Sequence, residues 1–176
     1  MIRVITSGDI EPFYFLVHHN RDRLQTYFPM TVFHTQTILQ TRKFVLEKIK
    51  EAQNQEFLLM LIHNEQGQLI GMMHAKHFDR YVRKCEISYF VDKNHVNKGY
   101  ATRAIKEIIN YIFSRTDMEK IYCRIDPENL ASIRVAEKVG FVKEGHLRNE
   151  FRTGDDRIID IFYFGIIKQK YQLQVW

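Results

Sequence analysis

The spacing of apolar residues changes along this chain, and the changes divide it into elements. Residues 1–5 read as a short strand, and Asp9 is placed to cap a helix carrying Phe13, Leu16 and Val17. Between residues 35 and 53 the period is helical. Ile38, Phe44, Val45, Leu46 and Ile49 gather toward one face, and Arg42, Lys43, Glu47 and Lys50 take the other. The period then shortens. Residues 57–62 form a continuous apolar run, Asn64 to Gly67 a turn, and residues 69–78 a second run, which together predict a hairpin. A polar turn over 79–84 leads into residues 85–91, which alternate and are rich in β-formers.

Helical spacing returns at Ala101, Ala104, Ile105, Ile108, Ile112 and Phe113, with Arg103, Lys106, Glu107 and Asn110 on the opposite side. Residues 121–125 read as a strand. Residues 130–139 read as a short helix ending at Gly140, a natural left-handed stop. Two strands follow, over 141–151 and 158–167, parted by Gly154, Asp155 and Asp156. This order predicts an α+β domain: a mixed, mostly antiparallel sheet flanked by helices. No repeat, low-complexity segment or Pro/Gly-rich linker interrupts the chain, so a single domain over 1–176 is expected.

Composition narrows the classes. With 176 residues, 45% hydrophobic and 27% charged, the chain reads as a soluble globular protein able to bury about two-thirds of its unfolded surface. Thirteen Phe and nine Tyr fit a sheet-rich core; base stacking would need them grouped on an exposed face beside basic residues. A net charge of +5 favours an anionic ligand without naming one, and the lack of a Lys/Arg run disfavours nucleic acid. Cys85 and Cys123 sit in apolar runs and read as buried free thiols, which suits a reducing cytoplasm. No apolar stretch suggests a signal peptide or reaches the roughly 20 residues of a membrane span. His74 and His77, three apart in a strand, should lie on opposite faces, and His18 and His19 should point apart on a helix. No Cys/His spacing suits zinc, so no metal is expected.

Candidate chemistry concentrates after the strand that ends near Asp92. There the run Val96-Asn97-Lys98-Gly99-Tyr100-Ala101 opens a helix. The first amides of a helix lack internal partners and sit at the positive end of its dipole, which makes an anion site. Gly99 and Ala101 let a bulky pyrophosphate approach, Lys98 adds charge and Thr102 a hydroxyl. A bare tight turn at Gly99 is the competing reading. The glycine spacings of a Walker loop or a dinucleotide fingerprint are absent, and an antiparallel meander does not suit a doubly wound fold.

Residues 86–148 resemble the GNAT superfamily of N-acetyltransferases, in its RimJ/RimL-like ribosomal-protein branch. That family's loop is Gln/Arg-x-x-Gly-x-Gly/Ala; here Val96 stands in the first place, and Gly99-Tyr100-Ala101-Thr102 matches the branch. Asn129, Ser132, Glu137-Lys138-Val139-Gly140-Phe141 and Glu144-Gly145 follow a second block. Asn20-Arg21 through Phe28-Pro29 follow a third, on the substrate side. The resemblance implies a splayed sheet with acetyl-CoA in a wedge between the strands at 85–91 and 121–125. It implies coenzyme contacts at Asn97, Lys98, Gly99, Tyr100, Ala101, Thr102 and Asn129, and Ser132 as general acid to the leaving thiolate. It also implies the N-terminal amine of a ribosomal protein as acceptor, and it brings a homodimer into view.

With pyrophosphate at the loop, an extended pantetheine arm runs back along the preceding strand. Val91 would pair with its amides through the backbone, as an added strand would. An arm reaching about five residues, at roughly 3.3 Å each, ends near Glu86, the candidate general base acting directly or through water. Each role has a plainer alternative: Glu86 a salt-bridged strand residue, Asn129 a helix cap. Arg148, Arg152 and Arg157 near the last turn would face either an acidic substrate or only solvent. Two other functions compete: acetylation of a small amine such as a polyamine or antibiotic, and a non-catalytic acyl-CoA sensor. The positive net charge argues mildly against polycationic acceptors, and the presence of Glu86 and Ser132 argues against the sensor.

Overall fold

The computed structural model describes residues 1–174. Strand β1 (Ile2–Val4) is followed by four helices, α1 (Ile10–His19), α2 (Arg21–Tyr27), α3 (Pro29–Phe33) and α4 (Ile38–Gln53). The meander is β2 (Leu58–His63), β3 (Leu69–Asp79) and β4 (Lys84–Val91). Then come α5 (Tyr100–Arg115), β5 (Lys120–Ile125), α6 (Leu130–Val139), β6 (Val142–Arg152), β7 (Ile158–Ile167) and α7 (Lys168–Gln174). The strands form one sheet in the order β1-β2-β3-β4-β5-β7-β6. Every neighbouring pair is antiparallel except β4 and β5, which are joined through α5 and run parallel. This is the α+β architecture that the spacing predicts.

Two cores lie on opposite faces of the sheet. On one, Phe13, Val17, Leu24 and Val45 from α1, α2 and α4 pack on Leu59, Leu61, Met72 and Phe90. On the other, Ile105, Ile108 and Ile112 of α5 and Ala136 of α6 pack on Met60, Met73, Ile87 and Ile121. Strand β2 is buried on both sides, which explains why it reads as an unbroken apolar run rather than an alternation. Residues 1–55 are more finely divided than their sequence suggests. Pro29 begins α3, where its missing N–H costs nothing, and α4 starts at Ile38 behind a reciprocal cap between Thr37 and Gln40.

Two expectations fail for identifiable reasons. Asp9 does not cap α1. Its carboxylate is held by Arg3 at 2.7 Å and by the Thr6 amide at 2.8 Å, so it ties the end of β1 to the following turn. That grip pulls the Asp9 carboxyl down to about 2, with the Arg3 hydrogen bond the main cause. Nor do His74 and His77 fall on opposite faces. The pairing of β3 with β4 slips between Lys76 and Asp79, and His77 adopts φ +52°. The slip turns His77 toward Glu86, on the side where Lys76 already lies.

Candidate active site

The sheet opens between its two parallel strands. β4 and β5 are paired only from Lys84, Cys85 and Glu86 to Lys120, Ile121 and Tyr122. Beyond that point they diverge around a cavity lined by Glu86, Ser88 and Tyr89 from one leg and Cys123, Arg124 and Asp126 from the other, with Asn129 and Ser132 above. Strand parity decides what this opening offers. Asp92 donates its N–H to Ile70 O, so Asp92, Phe90 and Ser88 turn their amide groups toward β3. Tyr89 and Val91, beyond the last paired residue, therefore turn theirs toward the wedge, as an unfilled strand edge fit for an extended ligand. The Val91 carbonyl is taken by Arg23 Nη1 at 3.2 Å, which leaves the Val91 N–H.

At the outer end of this edge, α5 begins bare. Gly99 is its N-cap residue at φ +79°, with no side chain to cap it, and Asn97 two residues earlier sits at φ +60°. Arg103 N–H returns to Gly99 O, so the amides of Tyr100, Ala101 and Thr102 are the unpartnered first turn. Alternating left-handed residues before a free helix start form a concave nest of N–H groups suited to an anion. The side chains are less committed. Lys98 Nζ donates to Asn94 O, and the Tyr100 hydroxyl donates to Glu65 at 2.6 Å. Tyr100 thus presents its backbone to the loop and its ring to the β2–β3 turn.

The inner end holds Glu86 and Ser132, the candidate acid–base groups. Glu86 is buried, 4% exposed, with the cationic side chains of Arg124 at 3.2 Å and Lys76 at 3.6 Å and the His77 ring at 3.0 Å around it. It is thus salt-bridged, and His77, whose side chain is 58% exposed, links it to solvent. On the opposite wall Asn129 caps α6 by accepting the Ser132 N–H at 3.1 Å, leaving its own amide NH2 toward the cavity. Tyr89, which the sequence did not single out, donates its hydroxyl to Ser132 Oγ at 3.2 Å. Burial pushes the Tyr89 phenol up to about 12, so it stays a donor and leaves the Ser132 proton free to be given elsewhere. Cys123, in the same wall, is pushed up to about 12 by burial and remains a thiol.

Helix α2 crosses the mouth of the wedge and grips both legs. Asn20, at its start, donates to Asp92 Oδ2 at 2.6 Å and accepts the Lys93 N–H, on the β4 side. At its end, Tyr27 donates to Asp126 Oδ2 at 2.6 Å, on the β5 side. The β6–β7 turn docks there too: Gly154 N–H donates to Thr26 O at 3.1 Å, and a Cβ on Gly154 would lie 1.9 Å from Gln25 O. Only glycine fits that approach. The arginines near this turn spend their charge locally, Arg152 on Asp156 and Arg157 on Asp155. Among the described residues no cluster of His, Cys, Asp or Glu suits a metal ion, and no helix is long and apolar enough to cross a membrane.

A splayed parallel pair, a bare helix start and an unfilled strand edge together make an elongated cleft with an anion-accepting end. The family model described as acetyltransferase (GNAT) domain matches residues 1–142, and the chain belongs to that family. Among its relatives, the uncharacterized N-acetyltransferase p20 of Bacillus licheniformis is 32% identical over 111 residues, 63% of this chain and 62% of that protein. The spermidine N(1)-acetyltransferase of Vibrio cholerae is 30% identical over 111 residues, 63% of this chain and 64% of that one. The chain thus matches somewhat less than two thirds of the length of these relatives. The crystal structure of the ribosomal-protein-S5-alanine acetyltransferase from Vibrio fischeri superposes with a TM-score of 0.88 at 20% identity, covering 97% of this chain and 93% of that one.

Proposed function

We propose that the protein, as one domain over residues 1–176, transfers the acetyl group of acetyl-CoA to a primary amine, the N-terminal amine of a ribosomal protein. The observation that carries this is the wedge itself, with free helix amides at one end and Ser132 and Glu86 at the other. Asn97 to Thr102 hold the pyrophosphate, chiefly through backbone N–H groups, and Lys98 adds charge. The Val91 N–H and the Tyr89 backbone receive the pantetheine, and the Asn129 amide steadies it from above. The amine attacks the thioester carbonyl while Glu86 takes its proton through a water and passes it by way of His77 to solvent. The carbon–sulfur bond breaks, and Ser132, held in place by Tyr89, gives its proton to the departing sulfur and regains one from water.

A second reading, acetylation of a polyamine, is supported by the relative named as a spermidine acetyltransferase. Titrating acetyl-CoA calorimetrically, then following thiol release with a panel of N-terminal peptides, polyamines and small amines, tests both. Thiol release with the peptides supports the first reading and with spermidine the second. Binding without release on any acceptor reduces the protein to an acyl-CoA sensor, and a lack of binding removes the coenzyme assignment.

A further inference from the structure

The cavity holds two carboxylates, and they differ in company. Glu86 is matched by Lys76, His77 and Arg124. Asp126 is 7% exposed, and among the described residues it has no cationic partner within salt-bridge distance. Its contacts are neutral donors: the Tyr27 hydroxyl on Oδ2 at 2.6 Å and the Glu128 N–H on Oδ1 at 2.8 Å. An ionised carboxylate offers about four lone-pair sites, so roughly two remain. Buried charge without a counter-charge is costly, and a cationic ligand would relieve it.

We propose that Asp126, set in place by Tyr27, is the counter-charge that receives the acceptor's ammonium group. This rests on the acetyl-transfer reading and adds to it which amines are taken. Asp126 closes β5 and lies three residues before Asn129 and six before Ser132, with the Asn129 N–H bound to its carbonyl at 2.9 Å. One wall of the cavity therefore runs from the ammonium site to the leaving-group acid. The arrangement holds one uncompensated negative charge, and Lys76 and Arg124 line the rest of the same cavity. A second ammonium on the same acceptor would meet those cations. The chemical class that fits is a single ammonium carried next to uncharged carbonyl groups, as at a peptide N-terminus, rather than a chain of ammonium groups. Tyr27 is a positioning residue: burial raises its phenol far above the ordinary range, with Asp126 adding to the effect, so it stays a donor to the carboxylate.

Asp126→Asn removes the charge and keeps one oxygen, which can accept from Tyr27 or from the Glu128 N–H but not from both. It is compared with Tyr27→Phe and the unaltered protein in thiol-release assays. Three nucleophiles serve: a serine-first tripeptide amide, spermidine, and methoxyamine, which is uncharged at neutral pH. The expected result for Asp126→Asn is a fall in kcat/KM of at least about tenfold with the peptide amide, a change under about threefold with methoxyamine, and unaltered acetyl-CoA affinity. Tyr27→Phe should fall between, with the loss in KM rather than kcat. Equal losses with charged and uncharged nucleophiles, or none, overturn the proposal. A preference of the unaltered protein for spermidine over the peptide amide overturns the substrate class. Release with none of the three, despite acetyl-CoA binding, overturns the transfer reading and the ammonium site with it.

Discussion

The two helices that leave the wedge, α5 and α6, begin in opposite ways. Each follows one of the two parallel strands, β4 and β5, in the middle of the sheet. α6 starts at Asn129, whose side chain accepts the Ser132 N–H. α5 starts at Gly99, which has no side chain to offer, so its first amides stay unpartnered. A missing cap costs about 1 kcal/mol. α5 can bear that because it buries Ile105, Ile108, Ile109, Ile112 and Phe113, each contributing roughly 1.5–3 kcal/mol. α6 buries only Ala136 and Val139, so its cap is a large share of what holds it. The helix with burial to spare is the one left open for a ligand. The helix that needs its cap carries the Ser132 hydroxyl on it, where a rigid start keeps that group in place.

The contrast can be broken by substitution. Ser132→Ala should show the largest effect, a fall in turnover of about 100-fold with acetyl-CoA affinity unchanged, read by steady-state kinetics and calorimetry. Equal losses in both would mean that the two helix starts share one task. Gly99→Val comes next. A β-branched residue at φ +79° should weaken acetyl-CoA binding by about 10- to 100-fold, because the nest must rearrange. Unchanged affinity would detach the bare start from the coenzyme. Asn129→Ala should cost about 1 kcal/mol and a few degrees of Tm, similar to the backbone strain of Gly99→Val. Two variants of matched stability should then differ chiefly in coenzyme affinity.

A separate prediction concerns pH, since neither Gly99 nor Asn129 titrates. Acid sensitivity should come from elsewhere, first from His74, which lies edge-on to Phe28 and near Phe57 with its Nε2 unpartnered. Burial pushes it down to about 3. The unfolded chain binds a proton near pH 6.5 while the folded chain does not, so stability falls as pH drops from about 6.5 toward 3, by at most about 1.4 kcal/mol per unit. His74→Leu should flatten the dependence of the urea midpoint over pH 6 to 4. A slope left intact would move the sensitivity to other groups.

Local signals carried most of the elements. The three-and-four spacing from Ala101 to Phe113, the Gly140 stop and the turn at Gly154 all report on neighbours in the chain, and the structure places elements there. The positions of Asn97, Gly99 and Ser132 at the starts of α5 and α6 were legible because a loop before a helix and a turn of helix are short-range features. What the sequence hid was long-range. Tyr89 meets Ser132 across 43 residues and Tyr27 meets Asp126 across 99. The three partners of Glu86 arrive from β3, its bulge and β5. No periodicity along one strand encodes such meetings. Asp9 misled because a carboxylate before a helix looks the same whether it caps or binds Arg3.

The crossbar formed by α2 has a consequence for how the protein comes into being. Its two ends are fastened by partners lying 72 and 99 residues away, and the turn that locks it, at Gly154, lies 129 residues beyond Gln25. Contacts of such separation form late, after shorter loops have closed. During synthesis the coenzyme loop emerges well before the last hairpin, so an incomplete chain can build the nest of α5 while the mouth of its wedge is still unbraced. Bracing of the wedge therefore arrives with the final two strands, and the docking of Gly154 marks the moment when α2 is fastened in place.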